Sequence, residues 1–490
     1  MTATLKPGAI SLFESVIMGL AGSAPGFSIA TTAAVLLSTA GVVSVNALLI
    51  FAVPMIGIAV AYKGLNAKIP RAGAAYDWTT EFFGKFLGFF SGWALLIATL
   101  VFIVSGSLTV GGNLMNILDP GLSSNLIATT GLGALMYLLI GLVLIAGISL
   151  TSKVQVVMTS VELLILVVVA IAAFVHAANH GAVQVPSLSW LGVGYAPGTF
   201  AATALVVVFF YWGWDVTSNL GEETSEQPPN SAGNGGFYSV FVTIGIFVSF
   251  LVAAMVLFSM KDAEGFNVNI VYNIAQQAGL GNTGAKIASF AVVLSGIATL
   301  ETSMLQFSRT LFSMGRDRAM PTSMGHVDAR TRTPVRTMIV LIVLGLGMIF
   351  ASSFFPSVSN IISTSVAAVA IQVCYYYGLA GLVCAWSYKD AYKENIGTFI
   401  LYALSCFLCI VAFHKRPDYN PIKHLIIPGF GLLANLVCMG FYLAGPIFGL
   451  GTFKEPLFAL GISAVWGIYG AIYFLRSSKV KGKAVLLASR

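Results

Sequence analysis

Two short stretches break otherwise apolar runs with residues that free backbone polar groups. Gly22-Ser23-Ala24-Pro25-Gly26 sits in the middle of the run from about 14 to 40, and Trp212-Gly213-Trp214-Asp215 sits within the run from about 199 to 220. Lipid offers no partner to a freed N–H or C=O, so such breaks are tolerated only where they face protein or a water-filled cavity. A half-helix that restarts after a break presents free N–H groups and a positive dipole end, which suits a carboxylate. Gly22, Ser23, Ala24 and Gly26 are the candidates to supply those groups. Paired breaks in two halves of a chain point to a solute site near the bilayer midplane.

Four acids lie within or at the edge of apolar runs: Glu14, Glu162, Asp215 and Glu301. An acid at midplane depth is costly unless it is solvated, paired or protonated. Asp215, at the second break, can pair with a solute ammonium, take up a coupling proton, or cap the half-helix that starts at Val216. Phe209, Phe210, Tyr211, Trp212 and Trp214 surround it. Aromatic faces attract ammonium groups, although ordinary packing is the expectation for at least half of these rings. Glu162 can bind Na⁺ together with the hydroxyls of Thr302 and Ser303 and carbonyls near Ala21 and Gly22, since oxygen ligands suit a hard cation. It can equally carry the coupling proton itself, or sit as a neutral acid bonded to a neighbouring helix. Glu301 is a second buried-acid candidate, and Glu14 is placed at the inner interface. Lys153, Lys286 and Arg309 are expected near span ends, where long side chains snorkel. An acid-only pathway prefers cations: a proton, Na⁺ or an amine-bearing solute.

The elements that must hold these residues follow from composition. The chain has 490 residues, of which 57% are hydrophobic and 9% charged, with mean hydropathy +0.90. A soluble domain carries about 25% charged residues, so this is an all-α polytopic membrane protein. The net charge of +7 does not indicate nucleic-acid binding, because the Lys and Arg residues fall in loops and at the C-terminus, where orientation signals lie. The N-terminus runs into the first span with Lys6 as its only base and reads as a retained segment, not a signal peptide. Cys406 and Cys409 form a CxxC inside an apolar run and read as small apolar residues. His176, His180, His326, His414 and His424 show no convincing metal spacing. There is no GxSxG and no HExxH, so an enzyme is not expected, and no channel filter motif or charged ring is present. No cofactor is expected beyond a coupling ion, H⁺ or Na⁺.

Thirteen apolar runs are long enough to cross a bilayer, at about 20 residues each, the first at 14–40 and the last at 455–476. With the N-terminus inside, Lys68, Arg71, Lys85 and the loop carrying Arg316, Arg318, Arg330, Arg332 and Arg336 fall inside, as the positive-inside rule requires. After 396 the pattern inverts unless 396–414 does not fully cross. Twelve crossings, a cytoplasmic tail and one re-entrant or peripheral segment are therefore expected, with fourteen crossings as the other repair. Residues 72–84 read as an amphipathic interfacial helix anchored by Tyr76, Trp78, Phe82 and Phe83. Residues 262–283 read as a polar external loop containing a short helix. Glu222, Glu223 and Glu226 read as an inner gate or as solvated loop charges.

Pro70-Arg71-Ala72-Gly73-Ala74-Ala75-Tyr76 followed by Gly88-Phe89-Phe90-Ser91-Gly92-Trp93, then Gly213-Trp214-Asp215 with Glu222-Glu223-Thr224, then Arg316-Asp317-Arg318-Ala319-Met320-Pro321 with Thr333-Pro334, stand in that order. In this pattern the chain resembles the amino acid–polyamine–organocation permease superfamily, in particular the bacterial-type amino acid permeases. The resemblance implies a five-plus-five inverted repeat with helices one and six broken at the substrate site. The first repeat would be 14–176, the second 199–386, and 396–476 would be additional C-terminal membrane segments of one transporter domain. It also places a gating aromatic at or near Phe209 and favours a gate role for the glutamates after helix six. Two departures stand out. Pro25 lacks an N–H and removes one donor from the first break, and Glu162 occupies a position where many members carry a lysine.

The expected activity is proton-coupled uptake of an amino acid by a multi-pass protein of the cell membrane with both termini cytoplasmic. The protonation site would be Asp215 or Glu162. A polyamine or organic cation is the alternative solute, with Na⁺ coupling and exchange open. A substrate sensor on a transporter scaffold is the alternative of a different class.

Overall fold

The computed structural model describes residues 4–122, 125–192, 206–259, 269–354 and parts of 365–383, with Thr203 and Asp262. The expected segments from 396 onward, including the re-entrant segment and the tail, lie outside the described residues. Helix α1 (Leu12–Ser23) starts from a capping box in which Ser11 and Glu14 satisfy each other's backbone N–H groups. It stops at Ala24, whose backbone is left-handed (φ +48°), and α2 (Pro25–Ala40) restarts with proline at its first position, where the missing N–H costs nothing. The chain then turns at Gly41 into α3 (Ser44–Lys68).

Helix α4 (Ala75–Leu118) is bent at Gly84 (φ +84°). It is followed by α5 (Leu126–Ala146), with Asn125 as its N-cap, and α6 (Ile148–His180). Residues 206–210 are helical and lead into a turn before the four-residue α7 (Val216–Asn219). Beyond it come α8 (Ser231–Leu257), the short α9 (Ile270–Ala275), α10 (Gly281–Arg316) and α11 (Val335–Ala351). Among the described residues there is no strand, and an isolated parallel bridge joins Ile10 to Thr224.

Seven helical stretches among the described residues are long and apolar enough to cross a membrane. The first, Leu12–Lys68, has 57 residues, well over the ~20 that one crossing needs, and it contains the expected runs 14–40 and 44–66. The chain is a multi-pass membrane protein. Its helices turn polar faces inward. In α6, Gln155, Thr159, Glu162 and Leu166 are buried, whereas Val157, Leu164, Val168 and Ile171 are exposed. In lipid the exposed apolar stripe is the solvated one. An apolar groove of about 330 Å³ runs along this lipid-facing side between α6 and α8, past Leu166, Ala170, Phe174, Ile246 and Phe250, away from both breaks.

Loops gather on two faces. One, the charged face, carries residues 4–11, 69–74, 220–230 and 316–334. There Leu5 is buried against Ala72, Phe312 and Val327, Arg332 donates to the Thr4 and Leu5 carbonyls, and Lys6 donates to Ser149. On the opposite face Asn46 donates to Gly192 and Asn269 to Asn113.

Two expectations need correction here. Tyr76 and Trp78 are buried and are not interfacial anchors. Trp78 packs edge-on against Tyr62 and donates its indole N–H to Ile69, because the bend at Gly84 folds residues 75–83 into the protein. The short helix expected within 262–283 is present as α9, but Ile270, Val271, Ile274 and Ala275 on it are buried, so it folds back onto the bundle.

Candidate functional site

The two breaks meet. A Cβ at Gly22 would overlap the Gly213 carbonyl, and one at Gly213 would overlap the Gly22 carbonyl. Gly213 also has φ +103°, a region that side-chain-bearing residues avoid. Both glycines are therefore dictated by one close approach of backbone to backbone. The Gly22 carbonyl accepts from the Thr299 hydroxyl of α10 at 3.1 Å, so α10 closes the third side.

The amides at the first break have protein partners. Ala24 N–H donates to Leu20 and Ala21, and the Ser23 hydroxyl donates to Gly19. Gly26 N–H donates to Glu162 Oε1 at 2.9 Å. Glu162 is buried, and among the described residues its Oε2 has no hydrogen-bond partner, with the unpaired Ser295 hydroxyl nearby. A Cβ at Gly26 would lie 3.3 Å from both Glu162 Oε1 and Ser295 Cβ, so glycine lets α6 and α10 close on the start of α2. A carboxylate from within the protein thus occupies the positive end of that half-helix.

At the second break Asp215 does not cap α7, whose N-cap makes no side-chain hydrogen bond. Its buried carboxylate instead collects three donors: Gln306 Nε2 at 2.7 Å and Tyr376 Oη at 3.1 Å on Oδ2, and Tyr377 Oη at 2.9 Å on Oδ1. All three donors are neutral. Trp212 donates its indole N–H to Tyr376 Oη at 2.6 Å. Trp212 lies edge-on to Phe102, with ring centres 5.3 Å apart, and Phe102 in turn meets Phe27 and Phe209. Trp214 points the other way, toward Tyr62 and Met55.

From Asp215 toward the charged face the same side of the chain is stitched to α10. Asn219 donates to Thr310 and to the Ala72 carbonyl. Glu223 takes a two-point pair from Arg309 with both distances 2.9 Å. Glu222 accepts from Arg316 and from Ala72 N–H. On the α10 side of this zipper Gln306, Arg309, Thr310 and Arg316 recur at three, four and seven residues and so share one side of the helix, while Glu222 and Glu223 reach it from the turn after α7.

A family described as amino acid permease matches residues 10–427. The chain belongs to this family. Among similar proteins, the branched-chain amino acid permease BcaP of Bacillus subtilis is 24% identical over 440 residues, covering 86% of this chain and 83% of that one. The serine/threonine exchanger SteT of the same organism is 26% identical, over 59% of this chain and 64% of its own. A vacuolar cationic amino acid transporter of Arabidopsis thaliana is 26% identical over 64% of this chain, which spans about half (53%) of that relative. The family and these relatives are transporters, not enzymes, and membership supports amino acid transport.

In this permease the expected site residues divide. Gly22 meets Gly213 and Gly26 meets Glu162, Ser23 and Ala24 lie between them and bond back into α1, and Phe209, Trp212 and Asp215 line the second break. Thr302 and Ser303 are buried on α10, and the Thr302 hydroxyl is turned back to the Ala298 and Thr299 carbonyls. Glu301 is buried, with Oε1 unpartnered among the described residues. It lies two residues, about 200° around the helix, from the Thr299 that faces Gly22, so it stands on the far side of α10 from the breaks. Arg309 needs correction: it is fully buried and paired, not snorkelled at a span end. Glu223 is likewise buried, while Glu14 does sit at the charged face, capping α1 and accepting from Ser152. Sequence reasoning missed Gln306, Tyr376 and Tyr377. Polar residues inside apolar runs were the signal, since each needs a partner in lipid.

Proposed function

We propose that this permease is a secondary active transporter that takes up an amino acid across the cell membrane with a proton, and that Glu162 carries the proton. The charged face, with Arg71, Arg316, Arg330 and Arg332 on it, is the cytoplasmic one by the positive-inside rule. The observation that carries proton coupling is the Glu162 carboxylate: one oxygen rests on Gly26 N–H, and the other is buried without a partner among the described residues. An isolated buried charge is costly, and a proton on the free oxygen removes it. The surroundings favour H⁺ over Na⁺. The Gly22 carbonyl already accepts from the Thr299 hydroxyl, and the Thr302 hydroxyl is turned back to the Ala298 and Thr299 carbonyls of its own helix, whereas a cation needs such oxygens turned toward it. Asp215, held by three neutral donors and by no cation among the described residues, supplies a standing negative charge beside the meeting point of the breaks. The inverted relation of the two halves, with 14–176 and 199–386 as the repeats, belongs to the same proposal.

A second reading has its own observation. Ala24 and Gly26 use their amides within the protein and Pro25 has none, which favours a solute without a carboxylate, such as a polyamine. Uptake into proteoliposomes of a labelled amino acid mixture and a labelled polyamine mixture, under a proton gradient, a Na⁺ gradient or neither, tests both. Proton-driven accumulation of amino acids supports the proposal. Accumulation of polyamines alone replaces the solute, and dependence on Na⁺ replaces the ion. Absence of both flux and exchange by folded protein points to a sensor.

A further inference from the structure

Tyr376 spends its one hydroxyl on two partners of different kinds. It donates to Asp215 Oδ2 and accepts from the Trp212 indole. Tyr377, the next residue, also donates to Asp215 but makes no contact of this kind with Trp212. The two tyrosines are fully buried and edge-on to each other, with ring centres 4.8 Å apart. Trp212 is the ring that carries the second break into the aromatic group formed by Phe102, Phe27 and Phe209. An indole can turn within such a group while keeping its apolar contacts. What selects one orientation is the hydrogen bond at its nitrogen, because a buried N–H left without an acceptor keeps the full cost of its desolvation.

We propose that Tyr376 is a specificity-determining residue of the transport site, fixing the Trp212 indole and thereby the space beside the two breaks into which a solute side chain fits. The proposal rests on the transport reading above. Asp215 is the anchor in this arrangement. It orients the Tyr376 hydroxyl so that its lone pair, not its proton, faces the indole. Gln306, on the same Asp215 oxygen, and Tyr377, on the other, hold the anchor in place, while the indole N–H goes to Tyr376. Tyr62 also faces this group, edge-on to Tyr377. The side-chain preference of the permease is thus set from the helical stretch around 376, outside the broken helices themselves.

The test is a competition series. Unlabelled glycine, alanine, leucine, phenylalanine and tryptophan compete with a labelled amino acid mixture for uptake into proteoliposomes. The same compounds are ranked by thermal shift on the purified protein, so a ranking is obtained even if flux is absent. Tyr376→Phe is expected to change the preference for large over small side chains by roughly tenfold, the scale at which a pocket discriminates a methylene or two. Trp212→Phe removes the same hydrogen bond from its other end and leaves Tyr376 on Asp215, so it decides the matter if Tyr376→Phe does not fold. It is expected to change the ranking too, and the double variant to go no further than Trp212→Phe alone. Tyr377→Phe is expected to lower the rate and leave the ranking intact. A wild-type ranking in Tyr376→Phe or in Trp212→Phe overturns the proposal, as does an equal change of ranking in Tyr377→Phe, which would place the control in Asp215 alone. Absence of flux in the wild type, with the ranking still read by thermal shift, counts against the transport reading and not against this one.

Discussion

Glu223 and Arg309 form a two-point ion pair with both side chains fully buried, Nε to Oε2 and Nη2 to Oε1. The pair joins the segment after the second break to α10 at the charged end of the zipper. Burying two charges costs desolvation that their attraction roughly repays, whereas removing one partner strands the other at about 3–5 kcal/mol. Arg309→Met should therefore lower the melting temperature of the detergent-solubilised protein sharply. The double change Glu223→Met with Arg309→Met should restore it. Uptake should stay low in the double variant if the pair serves as a gate, because a methionine pair does not open and re-form through water as an ion pair does. Full recovery of uptake together with stability would reduce the pair to packing.

Glu162→Gln keeps an oxygen for Gly26 N–H and removes the site for an exchangeable proton. Folding should be little affected. Accumulation driven by an imposed proton gradient should be lost, while exchange of internal for external solute persists. Both are measured on the same proteoliposomes, by gradient-driven uptake and by counterflow. A gradient response equal to wild type would take Glu162 out of the coupling and leave Asp215 as the remaining candidate.

The breaks were legible in the sequence because their causes are local: a left-handed residue before proline in the first, glycine between tryptophans in the second. The apposition of Gly22 with Gly213 was implied only through the family resemblance. The partners of Asp215 lie 91, 161 and 162 residues away, and no periodicity carries that information. Arg309 misled for a different reason. It stands seven residues, about 10 Å, before the end of α10, which suggests an exposed head group. Hydropathy windows measure the apolar run and not what folds over its end. Here the loop after α3, the segment after α7 and residues 4–11 cover it. The same covering turned Tyr76 and Trp78 from anchors into core.

Asp215→Asn replaces one acceptor oxygen by an NH₂ among the donors Gln306, Tyr376 and Tyr377. At least one donor must then lose its partner, at about 1–3 kcal/mol, and the standing charge is gone. Uptake should fall by roughly tenfold or more, equivalent to at least one unit of the 1.4 kcal/mol that a factor of ten represents. Initial rates at saturating and at limiting solute separate a lost charge, which raises KM for an amine, from a disturbed helix, which lowers the maximal rate. Wild-type kinetics in a folded Asp215→Asn protein would remove Asp215 from the solute path.

Gly213→Ala tests the meeting of the breaks directly. The new methyl would overlap the Gly22 carbonyl, and the residue would be held at φ +103°. Gly8→Ala is the control. Gly8 is exposed, has φ +67° and nothing within 4 Å of its missing Cβ, so it carries the left-handed penalty of about 1–2 kcal/mol without the overlap. Gly213→Ala should therefore lose more melting temperature than Gly8→Ala and should lose uptake, whereas Gly8→Ala retains it. The same comparison at Gly22, whose backbone is helical, isolates the overlap from the conformational penalty: Gly22→Ala should abolish uptake with no cost of handedness. If Gly22→Ala transports normally, the two backbones are free to separate, and the close approach is not what holds the site together.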